Sequence, residues 1–455
     1  MARLVIVSNR VASLSDRQQK AGGLAVALQE ALKGDVLWFG WSGQTASTTS
    51  ETPKLVQRNR LTYATIDLGE RDYKHFYVGF SNSTLWPLFH FRLGLIDYLR
   101  EDYQGYLKTN EDFSTALAPL LEPDDMIWIH DYHLIPLATA LRRRKQNQRI
   151  GFFLHIPFAP AAIMDALPCA KEIIANLCDY DVVGFQTDAD RKNFEDCVEQ
   201  YLGFKSDGEG RIDTGTRLVL ATTVPVGIDA DAFAKSAVSA GRSKETRRMH
   251  ESLVGRKLIV GVDRLDYSKG LPNRFEAYSR LLDRFPEHRL KISYLQVAAR
   301  SREDVIRYQN LKRDLDRMSG KVNGKFAEFD WVPLRYMTRS LPRTLLAGFY
   351  RSAHVGLVTP LRDGMNLVAK EYVAAQDDAD PGVLILSKFA GAAESLHQAI
   401  IINPYDPDEI AEAIHQALTM PLAERQSRSE SLKEIVRTQS AAAWCRQCIN
   451  HLKAP

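Results

Sequence analysis

Short runs of branched and aromatic residues recur along the chain at intervals wide enough to hold a helix. That alternation predicts parallel sheets covered on both faces. In the first half the runs are Leu4–Ser8, Val36–Phe39, Met126–His130, Ile150–His155 and Val182–Phe185. In the second half they are Lys257–Val262, Lys291–Val297, Glu328–Val332, Val355–Val358, Val383–Leu386 and Ile400–Ile402. Between them, apolar positions recur with helical period over Ala189–Tyr201, Asn273–Phe285, Ser301–Met318, Leu367–Gln376 and Asp408–Thr419. The polar stretch Gly203–Thr216 reads as a loop or hairpin, and Pro225-Val226-Gly227 ends a strand. The pattern predicts an α/β protein of two Rossmann-like, doubly wound domains, 1–227 and 228–435. Such sheets bind ligands beyond the carboxyl ends of their strands. Two of them facing across a cleft imply two substrates.

Composition agrees with this and narrows the function. The chain has 455 residues, 45% hydrophobic and 25% charged, which is the balance of an ordinary globular protein and excludes a disordered or fibrous one. Lys plus Arg number 59 against 56 Asp plus Glu, so the net charge of +3 gives no reason to expect nucleic acid or a membrane surface as partner. No apolar run is long enough to span a bilayer, and Leu4-Val5-Ile6-Val7 is too short for a signal sequence, which places the protein in the cytoplasm. Five cysteines exclude a disulfide framework. The pair Cys445 and Cys448 reads as two small side chains on the buried face of a helix rather than as a redox or zinc motif.

Candidate chemistry lies where strands give way to loops and helices. After the first strand come Ser8-Asn9-Arg10 and then Ala21-Gly22-Gly23-Leu24, where glycines admit a ligand to the backbone and a helix start offers N–H groups to an anion. Two other strands end in His130-Asp131-Tyr132-His133 and Leu154-His155-Ile156-Pro157, groups suited to sugar hydroxyls. Neighbouring strand residues point to opposite faces, which argues against His130, Asp131 and His133 as one metal site. The strand Lys257–Val262 runs into Asp263–Gly270, placing Arg264 and Lys269 beside a helix start, a site for a diphosphate. A Gly-containing loop and helix follow in Thr359–Glu371, with Asp363 in the loop and Glu371 one turn into the helix. The pairs Asp188/Asp190 and Asp314/Asp316 read as solvated helix faces.

The acidic pair Asp363 and Glu371, with seven residues between, resembles that of retaining glycosyltransferases of the GT-B fold. Together with Val7–Arg10, Ala21–Leu24, Gly40–Gly43, Phe80–Asn82, Leu85–Pro87, His130–His133, His155–Pro157, Asp263–Gly270 and Arg362–Glu371, it makes the chain similar to the trehalose-6-phosphate synthase family throughout. The resemblance implies glucosyl transfer from a nucleotide-diphosphate glucose, UDP-glucose first among them, to glucose 6-phosphate with retention of configuration. It implies Arg10, Tyr77 and Arg302 on the acceptor phosphate, and Trp86 and Asp131 on the acceptor sugar. The donor contacts it implies are Gly22, Gly23, His155, Arg264, Lys269, Leu341, Asp363, Leu367, Val368, Ala369, Lys370 and Glu371. Of these, Asp131, His155, Arg264 and Lys269 are the expected catalytic residues. It also implies that 436–455 packs back onto the first domain.

The sequence departs from the family at Leu341, where a Phe is common. It departs again at Ala299-Arg300, which sets a second cation beside Arg302. Arg264, Lys269 and a helix start supply the leaving-group charge that a metal supplies in other transferases, so neither metal nor cofactor is expected. The expected partners are the two small-molecule substrates, with a symmetric homo-oligomer as the default assembly. Rival readings are a synthase using glycerol 3-phosphate, a silent sugar-phosphate sensor and a Rossmann oxidoreductase. The last lacks G-x-G-x-x-G after either first strand.

Overall fold

The computed structural model describes residues 3–11, 35–301 and 305–454. Gly22, Gly23 and Arg302 lie outside the described residues. By internal contacts the chain divides into two units, Met1–Val226 with Ala442–Pro455, and Gly227–Ala441.

The first unit is built on β1 (Leu4–Arg10), β2 (Val36–Ala46), β3 (Lys54–Arg58), β4 (Leu61–Gly69), β5 (Met126–His130), β6 (Arg149–Phe153), β7 (Val182–Phe185), β8 (Arg211–Asp213) and β9 (Leu218–Thr223). Among the described residues they form one sheet in the order β3-β4-β2-β1-β5-β6-β7-β9-β8, parallel except for the two edge strands β3 and β8. The order reverses between β1 and β5, and there Ser8 stands in register with both Gly40 and His130. Every run expected as a strand in this half is one, because each is an apolar stretch buried on both faces. The stretch Gly203–Thr216, read as a loop or hairpin, holds a Ser206–Ile212 bridge and β8, which pairs antiparallel with β9 just beyond it. Strands β3 and β4 are not among the expected runs; all five residues of β3 are exposed, which leaves no alternation to read, whereas β4 is partly buried.

The second unit carries β10 (Lys257–Arg264), β11 (Ile292–Ala299), β12 (Leu334–Met337), β13 (Val355–Val358), β14 (Val383–Ser387) and β15 (Ile400–Ile402), all parallel, in the order β12-β11-β10-β13-β14-β15. This is the dinucleotide-fold order with its crevice at the β10/β13 switch point. Helices start where side chains cap them. Thr187 accepts the Asp190 N–H, Asp229 that of Ala232, and Asp406 those of Asp408 and Glu409. The core beneath the sheet includes Ile259, Phe275, Tyr278, Tyr294, Leu357, Ile385 and Ile414.

One expected strand is corrected. Glu328–Val332 is a tight turn closed by a Glu328–Trp331 bridge, and the strand follows it at Leu334–Met337. Trp331 is buried, with its indole N–H donating to the Ile292 carbonyl at 2.7 Å, while Phe329 is fully exposed. The apolar run therefore caps a strand rather than forming one. The helix expected over Ser301–Met318 is Ile306–Phe326. Its Asn323 holds the start of β12, donating to the Leu334 carbonyl at 2.9 Å and accepting the Leu334 N–H at 3.0 Å. Asn323→Ala is expected to cost about 1–3 kcal/mol in chemical denaturation, since it strands two backbone groups of a buried residue. An unchanged midpoint would show that the pairing contributes nothing.

No helix among the described residues is long and apolar enough to cross a membrane. Cys445 and Cys448 are buried on the helix Ala441–Lys453 and unbridged.

Candidate active site

At the switch point of the first unit, β1 ends on Arg10. Its guanidinium lies over the Trp41 ring at 5.8 Å and against Gly43, where a Cβ would stand 2.5 Å from its Nε. Gly43 has φ +89°, so the bend that clears room for Arg10 also requires glycine. Trp41 touches Tyr73 and Tyr77, and Tyr77 stacks on the His133 imidazole at 5.8 Å and 10°. The expected acceptor residues Arg10 and Tyr77 are thus joined through Trp41 into one cationic and aromatic wall.

Tyr77 belongs to a π-helix, Tyr73–Leu85, a wide turn that is common at functional sites. The short helix Trp86–Phe89 continues it, with buried Trp86 packed on His90 and Tyr132. The Tyr132 hydroxyl donates to Asn82 at 2.8 Å, tying this segment to the loop after β5.

Asp131 turns that loop with φ +76° and ψ +161°, a region almost reserved for glycine, and its carboxylate accepts the His155 backbone N–H at 3.3 Å. The turn sends the neighbouring imidazoles apart. His133 goes to Tyr77, whereas His130 Nδ1 meets His155 Nε2 at 3.1 Å. Burial holds His155 down at about 3, and burial with the His155 ring nearby holds His130 well below its ordinary value. Both rings are therefore neutral, and one donates to the other. Trp128 and Trp444 pack against His130.

In the second unit Arg264, Lys269, Asp363 and the start of the helix Leu367–Ala375 lie at the β10/β13 switch point. Arg264 closes β10 and is exposed, and a turn over Tyr267–Lys269 follows, capped by Asp266 on the Ser268 N–H at 2.9 Å. Gly270, at φ +66°, passes so near β13 that a Cβ would stand 2.5 Å from the Thr359 carbonyl oxygen. The two loops are then bonded together: Leu361 N–H donates to Ser268 O at 2.7 Å, and Lys269 Nζ to Asp363 Oδ2 at 2.6 Å. Asn366 donates to Asp363 at 3.0 Å and caps the helix Leu367–Ala375 by accepting the Ala369 N–H. That helix starts directly after the loop whose Asp363 holds Lys269, and a helix start is where backbone N–H groups favour an anion.

Glu371 accepts from Arg343 Nε at 2.8 Å. Lys370 is turned inward, fully buried, with its Nζ donating to Gln439 Oε1 at 3.1 Å, and burial pushes it down to about 7. Its side chain is spent within the fold, so what it can offer a ligand is backbone. Leu341 is half-buried just before the helix Arg343–Ser352.

One residue of this edge escaped the sequence reading. Arg274, fully buried, donates to Asp263 at 2.6 Å, Gln296 at 2.8 Å, Thr359 at 3.0 Å and the Lys269 carbonyl at 3.2 Å. It pins the ends of β10, β11 and β13 beneath the loops. The one signal was a charge on the apolar stripe of the helix Leu271–Arg284.

Two doubly wound, mainly parallel sheets, with Arg264 and the Lys269–Asp363 pair at one switch point and Arg10 with an aromatic wall at the other, are the architecture of a glycosyltransferase of the GT-B fold. The model of glycosyltransferase family 20 matches residues 3–454, and the chain belongs to that family. The trehalose-6-phosphate synthase of Cronobacter sakazakii is 47% identical over 455 residues, covering 100% of this chain and 95% of the relative. Among solved structures, a UDP-forming alpha,alpha-trehalose-phosphate synthase from Burkholderia xenovorans in complex with glucose 6-phosphate has a TM-score of 0.96 at 47% identity, covering 100% of both chains. An E. coli structure bound with UDP-2-fluoro glucose has a TM-score of 0.94 at 46% identity, covering 100% of this chain and 99% of the other.

Proposed function

We propose that this chain transfers glucose from UDP-glucose to the anomeric hydroxyl of glucose 6-phosphate with retention, forming alpha,alpha-trehalose 6-phosphate, the first step of trehalose biosynthesis. The observation that carries the reading is the donor edge, where Arg264, the Lys269–Asp363 pair and the start of the helix Leu367–Ala375 gather at one switch point. Of the relatives similar over their whole length, one is solved with glucose 6-phosphate and another with UDP-2-fluoro glucose, an analogue of the donor.

The first unit takes the acceptor: Arg10 and Tyr77, with Arg302, meet the phosphate, and Trp86 and Asp131 the sugar. The second unit takes the nucleotide-glucose through Arg264, Lys269, Leu341, Asp363 and the backbone of Leu367–Glu371. Gly22, Gly23 and His155 complete the donor contacts.

The bond from the anomeric carbon to the diphosphate oxygen breaks while the acceptor oxygen bonds to the same face of that carbon. The acceptor's proton passes to the departing phosphate oxygen, which balances the step without an enzyme acid. The neutral His130–His155 pair fits such a route, because it can orient hydroxyls but holds no excess proton to give. Arg264, Lys269 and the helix start stabilise the charge on the diphosphate, so no metal is needed for that role.

The test is nucleotide release with glucose 6-phosphate against glycerol 3-phosphate, with and without EDTA. Turnover should require glucose 6-phosphate and survive EDTA. Preference for glycerol 3-phosphate would replace the acceptor, and activity lost to EDTA and restored by magnesium would overturn the metal-free leaving group. A glucosyl group trapped covalently on Asp131 would overturn same-face attack.

A further inference from the structure

At the opposite ends of the strands from the donor loops, the turn that follows the helix Leu271–Arg284 meets the helix Pro407–Thr419. Two imidazoles and a carboxylate converge there. His288 Nε2 is 2.9 Å from His415 Nδ1, and Glu287 Oε1 is 3.8 Å from the same nitrogen, with all three atoms inside 4.8 Å of one another. We propose that Glu287, His288 and His415 form a binding site for one divalent cation of the zinc class, unconnected with glucosyl transfer.

The donor set and its spacing point to that class of ion. Two nitrogens and one oxygen suit zinc, nickel or copper, whereas magnesium asks for oxygen ligands and keeps its waters. Bonds of about 2.0–2.1 Å in tetrahedral array set two ligand atoms roughly 3.3–3.4 Å apart. The observed gaps of 2.9 and 3.8 Å lie on either side of that spacing, so an ion would part the two imidazoles, which are hydrogen-bonded to each other, and draw Glu287 in. Glu287 is exposed and can swing inward, and the fourth position falls to water.

The imidazoles are already fixed. His288 is buried, and its backbone N–H donates to the Phe285 carbonyl at 3.1 Å. His415 lies stacked on the Phe285 ring, centroids 4.0 Å apart and 13° from parallel. Rings held by packing lose little freedom when an ion binds, which is what support behind metal ligands provides. Among the described residues, the other convergent group is His75, Glu101 and Asp102, which offers one imidazole and two carboxylates where this one offers two imidazoles. Lys257 and Lys291 lie close enough to His288 to repel a cation. That argues for an exchangeable ion rather than a permanent one.

His288 precedes β11, at the amino ends of the strands, while the donor loops leave the carboxyl ends. The ion would staple two helices that already share ion pairs, Arg280 and Arg284 with Asp408, and Arg284 with Glu412. Its effect is on stability and not on turnover.

The test uses the full chain without a histidine tag, titrated with zinc chloride in competition with a chromophoric chelator and followed by thermal melting, with magnesium chloride as comparator. One equivalent of zinc should bind and raise the melting temperature, and magnesium should do neither. His415→Gln should weaken zinc binding by more than the roughly 10–100-fold that loss of an outer-shell partner costs, and Glu287→Gln should weaken it less. Glu287 is exposed, so that variant folds whatever becomes of the site. Turnover without zinc should match the parent in both variants. Absence of a saturable equivalent, or one kept at full affinity by His415→Gln, overturns the proposal.

Discussion

Replacing Arg264 by alanine is expected to lower kcat about 10²–10³-fold, the loss typical when one fixed donor to developing negative charge is removed. The size follows from how the donor edge is wired. Negative charge grows on the departing diphosphate, and a contact made there counts for more in the transition state than in the bound substrate. Lys269 cannot compensate, because its ammonium is shared with Asp363 at 2.6 Å. The start of the helix Leu367–Ala375 contributes only the partial charge of its N–H groups. The loss should therefore appear in kcat more than in KM for the nucleotide-glucose. Arg264→Lys should fall between, keeping the charge but not the planar fork. Steady-state kinetics with both substrates varied checks this, and a loss under about tenfold would remove Arg264 from the leaving-group role.

Why Arg264 could be named from the sequence, and Arg274 could not, is a matter of what periodicity records. Arg264, Lys269 and Asp363 sit at joints between a strand and a helix, and a joint of that kind at the carboxyl end of a parallel strand is where α/β sheets bind ligands. Their positions follow from the strands alone. Tyr77 and Trp86 lie in a π-helix and the short helix after it, which have neither a 3.6-residue nor a 2-residue period. They were legible through family resemblance and not through pattern. Arg274 stands on the buried face of a regular helix, where an apolar residue is the ordinary occupant. Its four partners come from three strand ends and a loop, and no local window contains them.

The strand placed at Glu328–Val332 failed for a related reason. Trp331 was apolar enough to read as sheet, but its indole N–H was needed at the Ile292 carbonyl. Lys370 shows the same limit at the site itself, since its place in the helix was legible and its inward turn onto Gln439 was not.

Asp131→Gly is expected to raise the stability of the fold while reducing activity at least about 100-fold, which separates what this residue costs from what it does. A non-glycine residue at φ +76° and ψ +161° carries strain of about 1–3 kcal/mol. Glycine relieves it, and its greater freedom in the unfolded chain takes back about 0.5–1 kcal/mol. The carboxylate accepts the His155 N–H at 3.3 Å, a long bond whose loss offsets little of the gain. The net change in denaturation should be stabilising by roughly 1 kcal/mol. Asp131→Ala, which keeps the strain and also lacks the carboxylate, should be inactive without the gain. If the glycine variant is less stable than the parent, the strain is not where the backbone angles put it. If it keeps full turnover, the carboxylate does not hold the acceptor. A strained aspartate at the end of β5 persists because the turn it makes parts His130 from His133, leaving one imidazole for His155 and the other for the tyrosine wall beside Arg10.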